Sequence, residues 1–202
     1  HISFEVPVGC KTALVGFSCA GKTTLTRLML GLIQPTNKDG VILIHGKPIQ
    51  TYTRENLYQT ISVMRQRTEL FNDQSVRYNI AYGFATNDEL LELEKKPTAQ
   101  RACKLATLNA RVNQLAEQTE LQRALKRNKA RECSGGEVQR IGFARIIARQ
   151  SSIYVFDEPT ASVDPATEER LLSTINANTQ GKTTFMIAHR LSTIRDADQI
   201  LV

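Results

Sequence analysis

A glycine-rich turn set between a short apolar run and an amphipathic helix pattern constrains this chain more than any other feature. Gly16, Gly21, Lys22 and Thr23 fit the spacing Gly-x4-Gly-Lys-Ser/Thr, with Phe17, Ser18, Cys19 and Ala20 between the glycines and Thr24 after them. Ala13, Leu14 and Val15 precede the turn as a buried strand would, and Leu25, Leu28, Met29 and Leu32 follow it along one helical face. Glycines let backbone N–H groups turn inward, and a helix N-terminus adds free N–H groups with a partial positive charge. Together they form a cradle for phosphate oxygens. Such a turn needs a strand whose carboxyl end feeds a helix, so it points to an α/β fold.

The rest of the pattern agrees with that class. Short apolar runs predict strands at 2–6, 11–16, 41–45, 60–64, 153–157 and 183–188. Helical spacing predicts helices at 22–31, 54–59, 76–81, 100–118, 136–149 and 166–177. Residues 66–150 lack strand signals and read as a helical subdomain inserted into a sheet core made by 1–65 and 151–202. Gly181, Lys182, Thr183 and Thr184 repeat four letters of the phosphate turn, but Asn176 stands where the upstream glycine is required. They also precede a strand pattern, so they read as a helix-ending turn. The chain starts inside one strand-like run and stops inside another, 199–202, and is therefore expected to be a fragment.

Composition excludes several classes. The longest purely aliphatic run, Val41 to Ile44, is far short of the ~20 residues a membrane span needs. Four cysteines without paired spacing point to a reducing compartment rather than a disulfide framework or a zinc site. Residues 95–131 carry ten Lys or Arg against only Glu117 and Glu120. That segment suits anionic lipid headgroups, nucleic acid or simply a solvated helical face.

Three further groups carry chemistry. The apolar run 153–156 leads into Asp157 and Glu158, which puts two carboxylates at the carboxyl edge of a sheet, where open α/β folds bind ligands. Asp157 can hold Mg²⁺, and Glu158 can polarise a water attacking a phosphate. Ser134, with Glu137 three residues on, forms a capping box, while Gly135 and Gly136 leave backbone N–H groups bare for an anion. His189 follows the apolar run 185–188 beside Arg190, and Gln66 follows the run 61–64 with the reach to sense a metal or a water.

In this order and spacing the motifs resemble the nucleotide-binding domain of an ATP-binding cassette (ABC) transporter, over nearly the whole chain. Residues 16–24 resemble its Walker A loop and Gln66 its Q-loop glutamine. Residues 133–140 resemble the signature, 153–158 Walker B with its glutamate, 161–164 the D-loop ending in Asp164, and His189 the switch histidine. Residues 70–73 and 187–194 are similar to exporter-type members, including the mitochondrial and heavy-metal branch. The resemblance implies a P-loop NTPase (RecA-like) fold with an inserted α-helical subdomain and a partial antiparallel β subdomain.

It implies ATP and Mg²⁺ as cofactors, hydrolysis of ATP, and export through transmembrane domains in the same or a partner chain. Two cassettes would pair head to tail around two ATP, at the cytosolic or matrix face of a membrane, with no nucleic acid partner. Residues 16, 18–24 would bind nucleotide, with Lys22 on the β- and γ-phosphates and Thr23, Gln66 and Asp157 at the metal. Glu158, Gln66 and His189 would act in catalysis. Ser134, Gly135, Gly136 and Glu137 would serve the partner's ATP. A regulatory or degenerate cassette with little hydrolysis, and a soluble cassette ATPase acting on nucleic acid, are the alternatives.

The sequence also departs from the family pattern. Cys19 stands where glycine is usual, which implies strain of about 1–3 kcal/mol if its φ is positive. Cys133 replaces the usual leucine, and Arg65 and Arg67 flank Gln66 where proline and an acid are common. The glycine-rich segment that usually precedes the signature is replaced by residues 125–132. The aromatic that stacks on adenine normally lies upstream of residue 1.

Overall fold

The computed structural model describes residues 2–17, 20–36, 40–93, 99–160, 163–188 and 190–202. The chain is an α/β protein. Along it run β1 (Lys11–Leu14), α1 (Lys22–Met29), β2 (Leu43–Ile44), β3 (Lys47–Pro48), α2 (Arg54–Thr60) and β4 (Ile61–Met64). Then follow α3 (Val76–Ala81), α4 (Asn87–Leu93), α5 (Ala99–Gln118), α6 (Gly135–Ala148) and β5 (Ile153–Asp157). The last elements are α7 (Pro165–Thr179), β6 (Thr183–Ile187), α8 (Leu191–Ile194) and β7 (Gln199–Leu201). The main sheet is parallel in the order β4-β5-β6-β1-β7, and β2 and β3 pair antiparallel.

Parallel sheets are covered on both faces, so their central strands are continuously apolar rather than alternating. Accordingly Val155 and Phe156 of β5 and Phe185, Met186 and Ile187 of β6 are fully buried. Around them, Leu30, Ile44, Ile49, Leu57 and Ile61 close one core. The register brings three strand ends level, because Ile187 pairs with both Leu14 and Asp157.

The described residues form two compact units. One comprises His1–Arg65, Ser151–Glu158 and Thr179–Val202, and holds the sheet. The other comprises Gln66–Gln150 and Pro159–Asn178, and is helical, with α7 grouped among its helices. None of the described helices is long and apolar enough to cross a membrane.

Several expected boundaries shift for physical reasons. Residues 2–6 do not pair as a strand among the described residues; Phe4 instead stacks on Phe185, with ring centroids 6.1 Å apart, and Val6 packs on the same core. The expected strand 41–45 shortens to Leu43–Ile44, because His45 and Gly46 turn the chain at φ 50° and 73° into β3. Two consecutive positive φ values make the tight hairpin that joins twisted strands. Helix α4 has no counterpart in the expected pattern. Thr86 and Glu89 cap it reciprocally, Glu89 accepting from the Thr86 N–H at 2.8 Å, a signal that periodicity alone does not register. Gly181, at φ 70°, does end α7 as a turn, and Thr183 and Thr184 enter β6.

Candidate functional site

In the sheet unit, β1 delivers the chain into the glycine-rich turn. Gly21 takes φ 94° and ψ 5° as the residue before α1, a conformation that a Cβ would strain. Among the described residues no side chain caps α1, and its first turn holds no acid, which suits a partial positive charge on its N–H groups. Lys22 is buried, and its Nζ donates to the carbonyls of Gly16 and Phe17, both at 2.9 Å. The Ala20 N–H donates to the Phe17 carbonyl at 3.2 Å, and Thr23 and Thr24 are exposed. Ser18 and Cys19 lie outside the described residues.

The acid pair opens on the same edge of the sheet. The Glu158 N–H donates to the Ile187 carbonyl at 3.1 Å, and the Ala188 N–H donates to the Leu14 carbonyl at 3.1 Å. These lateral bonds extend the ladder one step past the strands and fix the ends of β5, β6 and β1 in line. Asp157 is only 9% exposed, so its carboxyl sits at the sheet edge largely out of water. Glu158 has φ 50°, a left-handed conformation uncommon for a residue with a side chain. An ammonium, an uncapped helix N-terminus and two carboxylates thus share one carboxyl edge, with β6 between them. His189 lies outside the described residues.

The helical unit holds the other predicted residues. Ser134 caps α6 in a complete capping box, its Oγ accepting from the Glu137 N–H and its own N–H donating to Glu137 Oε2 at 2.7 Å. Gly135 has open space where a Cβ would stand, whereas a Cβ on Gly136 would approach the Thr167 methyl to 3.3 Å. Gln66 is exposed, and its carbonyl accepts from Gln139 Nε2 at 3.1 Å. Asp164 precedes α7 and accepts from the Thr167 N–H at 3.1 Å; hydrogen bonds from Thr167 hold its carboxyl below the ordinary range.

Three side chains that the sequence reading does not single out support these groups. Arg127 forms an ion pair with Glu137. Burial alone would push the Glu137 carboxyl up, but Arg127 and the Ser134 N–H outweigh it and hold it below its usual value. Burial pushes the Cys133 thiol up, against a hydrogen bond from Arg127. Gln139, 5% exposed, clasps the segment after β4, since its Oε1 also accepts from Thr68 Oγ1 at 2.9 Å. Arg145 donates to the Glu69 and Asn79 carbonyls at 2.6 and 2.7 Å, and burial brings its guanidinium down to about 10. Arg127 and Arg131, which pairs with Asp73 at 3.3 Å, belong to the basic segment, as does Arg111 over the Phe84 ring at 4.2 Å. Part of that charge is therefore engaged within the fold.

Comparisons with known proteins agree on one family. The family model described as "ABC transporter" matches residues 1–161. An ATM1-type heavy metal exporter of Novosphingobium aromaticivorans is 40% identical over 201 residues, which cover 100% of this chain and 31% of the exporter. The mitochondrial iron-sulfur clusters transporter ATM1 of Saccharomyces cerevisiae is 39% identical over 206 residues, covering 100% of this chain and 28% of that protein. Among solved structures, a bacterial Atm1-family ABC exporter with ATP bound superposes with a TM-score of 0.79 at 34% identity, covering 100% of this chain and 33% of that chain. The chain thus spans about a third of the length of these relatives. With the family model matching most of the chain and relatives about 40% identical over all of it, the chain belongs to the ABC transporter family, within its ATP-binding domain.

Proposed function

We propose that this chain is the ATP-binding and ATP-hydrolysing cassette of an exporter-type transporter, powering transport by closing head to tail on a second cassette around two ATP. The observation that carries this reading is the shared sheet edge, where β1, which feeds the Lys22 turn, ends level through Ile187 with β5, which ends in Asp157. Phosphoryl transfer to water is catalysed mainly by positioning and charge neutralisation, and these are the groups it needs.

The donor set suits Mg²⁺ bound with ATP. Asp157 offers a shielded carboxylate and Thr23 an exposed hydroxyl, oxygen donors of the kind a hard cation takes. Thr23 and Asp157 would hold such an ion, with Gln66 as the further contact that the family resemblance implies, and it would supply charge to offset the phosphates. Gly16, Ser18, Cys19, Ala20, Gly21 and Thr24 line the phosphates, and Lys22 exchanges its two carbonyl partners for β- and γ-oxygens. Glu158 takes the proton of the attacking water, and His189 holds the γ-phosphate. Ser134, Gly135 and Gly136 complete the partner's site, with Glu137 seating their turn and Asp164 lying at the cassette contact. Transmembrane domains in the same or a partner chain take up the motion, which places the cassette at the cytosolic or matrix face.

Steady-state ATPase and equilibrium ATP binding by the intact protein test this reading. Lys22→Ala removes binding, and Glu158→Gln keeps binding while turnover falls about 100-fold or more. A parent that binds ATP but turns it over only at background, unchanged in Glu158→Gln, would leave a cassette that uses ATP only as an adhesive.

A further inference from the structure

We infer that Arg127 is the positioning residue of the 134–137 turn, clamping the Glu137 carboxylate so that Ser134, Gly135 and Gly136 are presented in one fixed shape to the nucleotide of a partner cassette. The inference rests on the proposed function above. It concerns what holds the turn, which that reading leaves open.

The geometry is specific to a single oxygen. Glu137 Oε2 accepts both from the Ser134 N–H and from the Arg127 guanidinium. A capping-box carboxylate without a counterion competes with water for its second contact and swings away from the cap. Here the guanidinium closes that route, with the carboxylate side chain 14% and the guanidinium side chain 33% exposed. Charge-assisted hydrogen bonds of this kind are shorter and stronger than neutral ones.

Arg127 is itself held firmly. Its carbonyl accepts from the Val76 N–H at 3.3 Å, at the start of α3. The following residues run along the same stretch, with the Ala130 N–H donating to Gln74 at 2.8 Å and the Arg131 N–H to Asn72 at 3.2 Å. Arg131 adds its ion pair to Asp73. Residues 125–132, which replace a glycine-rich stretch, are thereby laced to 72–76. The lacing fixes the point from which Arg127 reaches the turn.

The test uses the intact protein in the Glu158→Gln background, where bound ATP is not consumed. Radiolabelled ATP is loaded with Mg²⁺, chased with unlabelled ATP, and its residence time followed; initial affinity and thermal stability are measured alongside. Arg127→Ala should shorten residence about tenfold, the size of one charge-assisted contact, with initial affinity close to the parent's and an unfolding temperature no lower than that of Glu137→Gln, which loses the same ion pair. Arg127→Lys should restore part of the loss. Adding Glu137→Gln, whose amide oxygen caps Ser134 without needing a counterion, should make Arg127→Ala nearly silent. Equal losses with and without Glu137→Gln would overturn the inference, as would unchanged residence or a parallel fall in stability and initial affinity. A parent protein that retains no ATP after the chase would overturn the proposed function and this inference together. Retention that is insensitive to Arg127 overturns the inference alone.

Discussion

At the scale of single residues, Glu158 combines a proposed chemical role with an unusual backbone. Its φ of 50° places a side chain where glycine is at ease, at a strain of about 1 kcal/mol, and the lateral bond to Ile187 holds it there. Strain kept at a strand end is compatible with a side chain that must point along the sheet edge. Glu158→Gly should therefore abolish turnover while leaving the unfolding temperature equal to or slightly above that of the parent, as a thermal melt beside an ATPase assay would register. A clear loss of stability would mean that the carboxylate supports the fold. The neighbouring residues show what a sequence can and cannot convey. Lys22, Asp157 and Glu158 are legible because a fixed spacing or an apolar strand announces them. The left-handed backbone of Glu158 is invisible, since nothing in the local letters demands a positive φ.

At the scale of elements, α6 gathers several of the groups singled out in the helical unit. Its N-terminus carries the capped turn, Gln139 clasps the Gln66 carbonyl and Thr68, and Arg145 reaches the Glu69 and Asn79 carbonyls. Close approach reinforces this, because a Cβ on Gly83 would lie 2.5 Å from the Arg145 carbonyl oxygen. That atom is helix backbone and cannot step aside. Gly83→Ala should destabilise the protein by about 1–3 kcal/mol, read as a lowered denaturant midpoint with an unchanged slope. The capped turn adds a pH signature. The Glu137 carboxyl is held below its ordinary value, near 4.3 in unfolded chains. Its contribution is complete above that value and is lost as pH falls through the lower folded value. The stability difference between the parent and Glu137→Gln should be flat from neutral pH down to about 5 and should shrink below that range, by melts across pH. The capping box of α6 is readable from Ser134 and Glu137, but its counterion is not. Arg127 lies ten residues upstream in a loop, where neither periodicity nor spacing pairs charges. The hairpin at His45 was hidden for a similar reason, because a histidine before Gly46 is a weak turn signal.

At the scale of the whole molecule, the reading requires each ATP site to be shared between two cassettes. The phosphate turn with the acid pair and the capped glycine turn fall in different compact units of one chain. A shared-site arrangement makes a prediction that a self-contained one reverses. Consider an intact protein assembled from two differently tagged copies, with Lys22→Ala disabling the phosphate turn and Ser134→Arg blocking the glycine turn. If sites are shared, placing the two changes on opposite copies damages the same site twice and leaves the other whole. Placing both on one copy damages both sites. If each copy uses its own two motifs, the opposite-copy assembly loses both sites and the same-copy assembly keeps one. Retained ATP after a chase, counted per assembly with Glu158→Gln present in both copies, should therefore be about one in the opposite-copy assembly and close to none in the same-copy one, one intact composite site being enough to hold one nucleotide. The reverse pattern would reject head-to-tail closure while leaving the proposed role of Lys22 untouched, because that role needs only a single chain.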